Sequence, residues 1–251
     1  MHTGNWRYHW STDDLAPIVR REGIRFALVS ALESPPKRQV DSNREVLKEV
    51  AKYPDLFGAL AWANPLEEGW REDLTATLDT GRCYGIKIHP ARYKYDLSKF
   101  PEILRGVFEV ARQYELPILT HTDEKFSPPK NFLALIEEFP EVPVVFYHSY
   151  PMIDSIAIAL THANVYVENS WVADNPDFVL VAVKALGSQR VLYGTDAPVS
   201  FGWKPGEPLP ESQRFFARRI KYIMGLPLPA QAKEDILFRN ARRLFKLRLP
   251  K

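Results

Sequence analysis

Short apolar runs recur along the chain, and longer amphipathic stretches separate them. Seven of these runs predict strands: Arg25–Ala31 (RFALVSA), Phe57–Ala63 (FGALAWA), Tyr84–His89 (YGIKIH), Pro117–Thr122 (PILTHT), Val142–His148 (VPVVFYH), Asn164–Asn169 (NVYVEN) and Arg190–Thr195 (RVLYGT). Each is rich in Val, Ile, Leu or aromatic residues and is bounded by Gly, Pro, Asn or Asp. None alternates cleanly between apolar and polar, as expected of parallel strands covered on both faces. The stretches between them read as helices. "STDDLAPIVRREG" opens with Ser11 as a cap and an acidic first turn, and Gly23 ends it. "SKFPEILRGVFEVARQYE" sets Ile103, Val107, Val110 and Ala111 on one stripe. "SPPKNFLALIEEFP" has prolines near its start and Pro140 as its stop, and "PAQAKEDILFRNARRLFKL" closes the chain.

Strand alternating with helix over the full length means βαβ units. No Gly-rich linker or low-complexity tract interrupts them, so residues 1–251 read as one domain. A doubly wound open sheet fits this alternation. An α/β barrel of the (β/α)8 type, distorted and with its first strand truncated or missing, fits better, because polar residues gather at strand ends. In such barrels the reactive side chains lie at the carboxyl ends of the strands.

His121 ends "PILTH", His148 ends "VPVVFYH" and Asp196 follows "VLYGT". The first two are 27 residues apart, one βα unit, and the next pair 48 apart, two units. Three of only six histidines lie on or beside this predicted rim once His89 is counted with them. Lys87 and His89 stand two apart near the end of "YGIKIH" and so share a strand face. Imidazole and carboxylate on neighbouring strands converge on a barrel axis, and they are good ligands for Zn²⁺ and similar ions. A bound ion would make water acidic near neutral pH, with a carboxylate to take the proton and a histidine to assist. Softer rim candidates are Asp123 and Glu124 after His121, Glu168 and Asn169, Trp62 and Asn64, and Trp171 and Trp203. The Pro/Gly-rich "SFGWKPGEPLPES" is a candidate cover for the rim.

"GIKIHP", "PILTHTD", "VVFYHSYP", "YGTDAP" and "NARRLFKL", in this order, resemble the amidohydrolase superfamily, specifically its amidohydrolase-2 group. The resemblance spans essentially the whole chain, and "YGTDAP" with "NARRLF" about 45 residues later is its most telling pair. It implies a distorted (β/α)8 barrel holding a divalent metal, zinc being the expected ion. Matched position by position, it makes His121 the strand-5 ligand, His148 the non-ligand catalytic histidine of strand 6, and Asp196 the strand-8 ligand and proton acceptor. The group opens on an Asp-x-His-x-His-like strand, whereas this chain opens Met1-His2-Thr3-Gly4. His2 therefore stands as the second histidine of that pair and a third metal ligand. Two readings stay open: a start upstream of Met1, or an incomplete barrel. Lys87 suits a substrate anion, with His89 and Trp62 beside it as substrate contacts. The alternative is the carboxylated, metal-bridging lysine of some amidohydrolases.

The activity implied is metal-dependent hydrolysis of a small cyclic or carboxylated molecule. Non-oxidative decarboxylation at the same site and a catalytically idle, ligand-binding barrel are the alternatives. Composition narrows the partners. Net charge is +2 with pI near 8.5, too mild for nucleic acid or an anionic membrane. Arg239, Arg242, Arg243, Lys246 and Arg248 are spaced as the solvated face of a last helix. One cysteine, Cys83, allows no internal disulfide and reads as a buried thiol. No run of 18 apolar residues exists, and the N-terminus does not resemble a signal peptide, so a cytoplasmic protein is expected. The resemblance also carries the expectation of a homodimer.

Overall fold

In a computed structural model, residues 11–31, 38–170, 176–197 and 215–247 are described. His2, His9, Trp171, Trp203, Arg248 and the loop "SFGWKPGEPLPES" lie outside them.

All seven expected strands form, six shorter than their apolar runs and β3 equal in length but one residue earlier: β1 Ala27–Val29, β2 Phe57–Trp62, β3 Cys83–Ile88, β4 Ile118–His121, β5 Val144–Tyr147, β6 Val165–Glu168 and β7 Val191–Leu192. They pair in sequence order, every neighbour parallel. This is the order and sense of a (β/α)8 barrel wall, seven strands long among the described residues. The helices are α1 Thr12–Arg21, α2 Gln39–Val50, α3 Trp70–Leu78, the single turn α4 Pro90–Tyr93, α5 Phe100–Gln113, α6 Leu133–Glu138, α7 Met152–Thr161, α8 Pro176–Leu186, α9 Phe215–Gly225, α10 Ala230–Glu234 and α11 Asn240–Leu244. None is long and apolar enough to cross a membrane.

Local chemistry accounts for the helix ends. Ser11 and Asp14 exchange hydrogen bonds as a capping box at the start of α1, and Gly23 takes φ 71° just past its end. The stripe expected on α5 is there: Val107, Val110 and Ala111 are buried, and Ile103 packs against them. The closing helix is not continuous, because a π-helical turn, Asp235–Arg239, separates α10 from α11. Arg239, Arg242, Arg243 and Lys246 are exposed, as expected.

Strand parity sorts the core into two shells. Ile86, Ile118, Val144, Phe146, Val165, Val167 and Val191 face outward into the helical layer. Leu60, Leu119, Val145 and Leu192 face inward and pack on Leu244, Phe245 and Leu247 at the chain's end. The inner plug is apolar, so the sheet encloses a packed interior and not a channel. On β3 an extra residue breaks the register: Ala59 pairs with Cys83 but Ala61 with Ile86. Tyr84 packs inside, and so does Lys87 three residues later, a step that strict alternation forbids. Cys83, expected buried, is half-buried at the start of β3. Its partial burial still pushes the thiol up to about 12, so it is no nucleophile at neutral pH.

Candidate active site

One step beyond the apolar plug, the inward positions turn polar. Leu119 is followed on its face by His121, Val145 by Tyr147, Tyr166 by Glu168 and Leu192 by Gly194. Lys87 of β3 joins them. The carboxyl ends of five strands thus face one space.

His148 is the exception to parity. Alternation after the inward Tyr147 directs it outward. Its φ of 68°, and 47° at Ser149, bend the backbone into the left-handed region and swing the ring back inside. The His148 ring then meets the His121 ring edge to face at 4.9 Å between centroids. Asp196 lies four residues past the end of β7 and also adopts a positive φ, 50°. Such conformations cluster at functional sites.

His121 is held from two sides. Its ring stacks on His89 at 4.1 Å and 14°. Its Nε2 lies 3.3 Å from Asp123 Oδ2. Asp123 is itself fixed by the backbone N–H groups of Lys125 and Phe126 (both 2.6 Å to Oδ1) and by the Ser127 hydroxyl (2.8 Å to Oδ2). Burial alone would raise the Asp123 carboxyl; the hydrogen bonds from His121, Phe126, Ser127 and Lys125 outweigh it and hold the group well below the ordinary carboxylate range. A carboxylate at Nε2 fixes the proton there and leaves the Nδ1 lone pair. That Nδ1 is buried and has no hydrogen-bond partner. A carboxylate-oriented imidazole whose other nitrogen keeps an unclaimed lone pair is the usual state of a metal-ligating histidine.

Asp196 has the complementary character. Burial raises its carboxyl, and the positive charges of Lys87, His121 and Arg219 oppose that rise. Lys87, 6% exposed, rests its ammonium 3.7 Å from the centre of the Tyr147 ring. Burial lowers the amine to about 7 although Asp196 and Glu168 favour its charge. The donor set therefore fits a cation as far as it goes: a free imidazole lone pair and a carboxylate whose charge burial disfavours leaving uncompensated. Among the described residues no group of three His, Cys, Asp or Glu side chains has metal-binding geometry. The third expected ligand, His2, lies outside them.

His89 leaves the strand and caps α4, its Nδ1 accepting from Arg92 N–H at 3.3 Å. Burial drives its pKa well below the ordinary histidine value, and repulsion from the ionisable groups His121, Lys87, Arg92 and His148 adds to this. Trp62 is 1% exposed and donates from Nε1 to Tyr93 Oη at 2.8 Å. It stands behind His89, 6.3 Å between ring centroids, in the wall of the site. Asn64 binds Glu67 and so braces a turn. Glu124 pairs with the Tyr150 hydroxyl on the surface.

Ser170, Tyr147 and Arg219 belong to the site, although nothing in the sequence reading singled them out. Ser170 carried a usable signal, standing two residues after Glu168 and therefore on the same side. Its hydroxyl lies 2.9 Å from His148 Nδ1 and 2.7 Å from Glu168 Oε2, and Arg219 donates to its carbonyl.

The amidohydrolase family model matches residues 15–247. No curated protein matches the chain in sequence. Solved structures share the fold. An uncharacterized TIM-barrel protein from Bordetella bronchiseptica is 21% identical, with a TM-score of 0.68 over 94% of this chain and 83% of its own. The 5-carboxyvanillate decarboxylase of Novosphingobium aromaticivorans, solved with manganese and 3-methoxy-4-hydroxy-5-nitrobenzoic acid, is 17% identical (TM-score 0.69, 93% and 80% covered). The 4-oxalomesaconate hydratase of Rhodopseudomonas palustris is 14% identical (TM-score 0.69, 94% and 80%). With the family model covering nearly all of a seven-stranded parallel barrel wall, the chain belongs to the amidohydrolase family, in its amidohydrolase-2 group.

Proposed function

We propose that the protein is a divalent-metal-dependent hydrolase of a small cyclic or carboxylated substrate. The observation that carries this reading is the His121 lone pair: buried, oriented by Asp123, unclaimed by any donor, and on a ring within electrostatic reach of the Asp196 carboxylate. His121 and Asp196 would hold the ion, with zinc the expected species and His2 a further ligand. When bound, such an ion supplies Lewis acidity and lowers the pKa of water toward 7.

The chain's own residues do the rest. Asp196, raised by burial, is suited to take up a proton at its carboxylate. His148, pushed down to about 2 by burial with the charges of His121 and Lys87, is a neutral ring at working pH and can accept a proton or a hydrogen bond. Lys87, aimed into the same space beside Tyr147, offers a positive charge to an anionic group of the substrate. His89 and Trp62 form the wall beside it.

Loss of CO₂ from an aromatic carboxylate is a second reading. It is favoured by the buried Lys87 cation against an aromatic ring, and by the fold shared with a carboxyvanillate decarboxylase. CO₂ release measured on a panel of aromatic carboxylates separates the two. The test of the metal itself is elemental analysis of the protein before and after reconstitution with Zn²⁺ or Mn²⁺, repeated for Asp196→Asn and His121→Ala. About one ion per chain in the parent, lost in both variants, is expected. A parent that holds no ion after reconstitution overturns the proposal and leaves the idle, ligand-binding barrel.

A further inference from the structure

Glu168 is a carboxylate with 3% exposure at the end of β6, and metal chemistry as described above makes no use of it. Its surroundings are specific. His148 N–H donates to Oε2 at 3.1 Å, the Ser170 hydroxyl donates to Oε2 at 2.7 Å, and Ser170 N–H donates to Oε1 at 2.8 Å. All three are donors and suit an ionised acceptor; burial raises the carboxyl to about 7 and the bonds from His148 N–H and Ser170 oppose that rise, so the ionised form is the one held above that pH. Gly194, the inward residue of the next strand, makes room for it: a Cβ there would overlap the carboxyl oxygen.

The Ser170 hydroxyl has one proton, and it is committed to Glu168. Toward His148 the same oxygen can only accept. His148 Nδ1, 2.9 Å away, must then carry the hydrogen. The proton missing from a neutral ring is therefore missing from Nε2. We propose that Glu168 and Ser170 are positioning residues that act through His148, locking it as the Nδ1–H tautomer so that its Nε2 lone pair is delivered to the site as the proton acceptor. A proton leaving an O–H of water or substrate forms an N–H bond at Nε2 as the O–H bond breaks. Nδ1–H stays on Ser170, and the Glu168 charge, one hydroxyl away, balances the imidazolium until Nε2 returns the proton to the leaving group. This rests on the hydrolytic reading for what His148 acts upon; the tautomer itself is a property of the fold.

The test is the ring-nitrogen spectrum of ¹⁵N-histidine-labelled, full-length protein as purified. Only six histidines contribute, and His148 is assigned as the signal lost in His148→Gln. In the parent, Nε2 of His148 should show the pyridine-like signal and Nδ1 the protonated one. Glu168→Gln keeps an oxygen at the Oε2 place, where the His148 N–H and Ser170 hydroxyl converge, and should keep Nδ1–H; Glu168→Ala removes that acceptor, so the hydroxyl turns its proton to Nδ1 and the tautomer reverses to Nε2–H. Ser170→Ala should give a mixture of the two. A structural role alone would not reverse the pair. If the parent shows Nε2–H, or if Glu168→Ala folds and keeps Nδ1–H, the proposal fails. Should the variants not fold, the parent spectrum decides alone. Ion content measured on the same samples reports separately on the metal reading.

Discussion

Replacing Asp123 with Asn changes one atom in the support of His121. The two short bonds from the Lys125 and Phe126 N–H groups converge on Oδ1, which must therefore remain an oxygen. The new amide NH₂ then occupies the place of Oδ2, where it faces His121 Nε2 and the Ser127 hydroxyl. Ser127 can turn to accept. His121 can accept only by moving its proton from Nε2 to Nδ1, and Nδ1 is the atom whose buried lone pair is otherwise free. The ligand atom is thus lost unless the ring returns to a tautomer with no partner at Nε2. Removing such an outer hydrogen bond weakens metal affinity about 10- to 100-fold, or roughly 1.4 to 2.8 kcal/mol. Competition against a chromophoric chelator, with Zn²⁺ or Mn²⁺ as the ion, reads this directly. Glu124→Gln is the control, because among the described residues that carboxylate accepts from the surface Tyr150 hydroxyl, and its affinity should match the parent. Equal affinity of Asp123→Asn and parent would refute the assignment of Nδ1 as the ligand atom.

Gly194→Ala should destabilise by about 1 to 3 kcal/mol through overpacking. Its φ is not in the left-handed region, so the cost is the collision with Glu168; an unchanged denaturation midpoint would contradict that. Acid should weaken the fold through the two neutral, buried rings of His148 and His89. Their folded pKa values lie below the unfolded 6.5, so the unfolded chain binds more protons below that pH and stability falls as pH drops toward the folded values, about 2 for His148. Between about pH 7 and 5.5 the loss should be roughly 1 kcal/mol per ring, read from urea midpoints, and His148→Gln should remove its share.

The existence and order of the strands were legible because a parallel strand buried on both faces leaves a short apolar run that nothing else in this chain imitates. His121 was legible too, since it ends its strand in phase with the inward Leu119. Phase is also where sequence reading stopped. His148 reads as a rim residue from its strand end, but it is out of phase with Tyr147 and its ring reaches the site through a positive φ that histidine rarely adopts and that alternation does not foresee. On β3 an extra residue resets the alternation between Tyr84 and Lys87, and that depends on register with β2. Ser170 was missed because a serine after a strand is ordinarily a turn residue. Its role exists only once Glu168 and His148, on different strands, are brought to it. Trp62 read as a rim aromatic, yet its indole is turned into the wall by the Tyr93 hydroxyl.

The polar layer argues for function more strongly than any one of its residues. An inward column that begins Leu60, Leu119, Val145 and Leu192 could continue apolar, and the barrel would be better packed and more stable for it. Instead the next step carries a lysine, two histidines, a glutamate and an aspartate, most of them nearly inaccessible to water. Each would cost several kcal/mol to bury unpaired. A purely structural ion network would neutralise these charges in close pairs. Here Lys87 packs on an aromatic face, His121 keeps an unused lone pair and Glu168 spends its oxygens on orienting His148. Groups arranged to hold one another in a chosen protonation state, with one lone pair left toward a shared space, are arranged for a reacting guest. That also answers why the chain after β7 runs Gly194, Thr195, Asp196: the glycine clears the volume that Glu168 needs, and two residues later comes a carboxylate within electrostatic reach of His121 and Lys87.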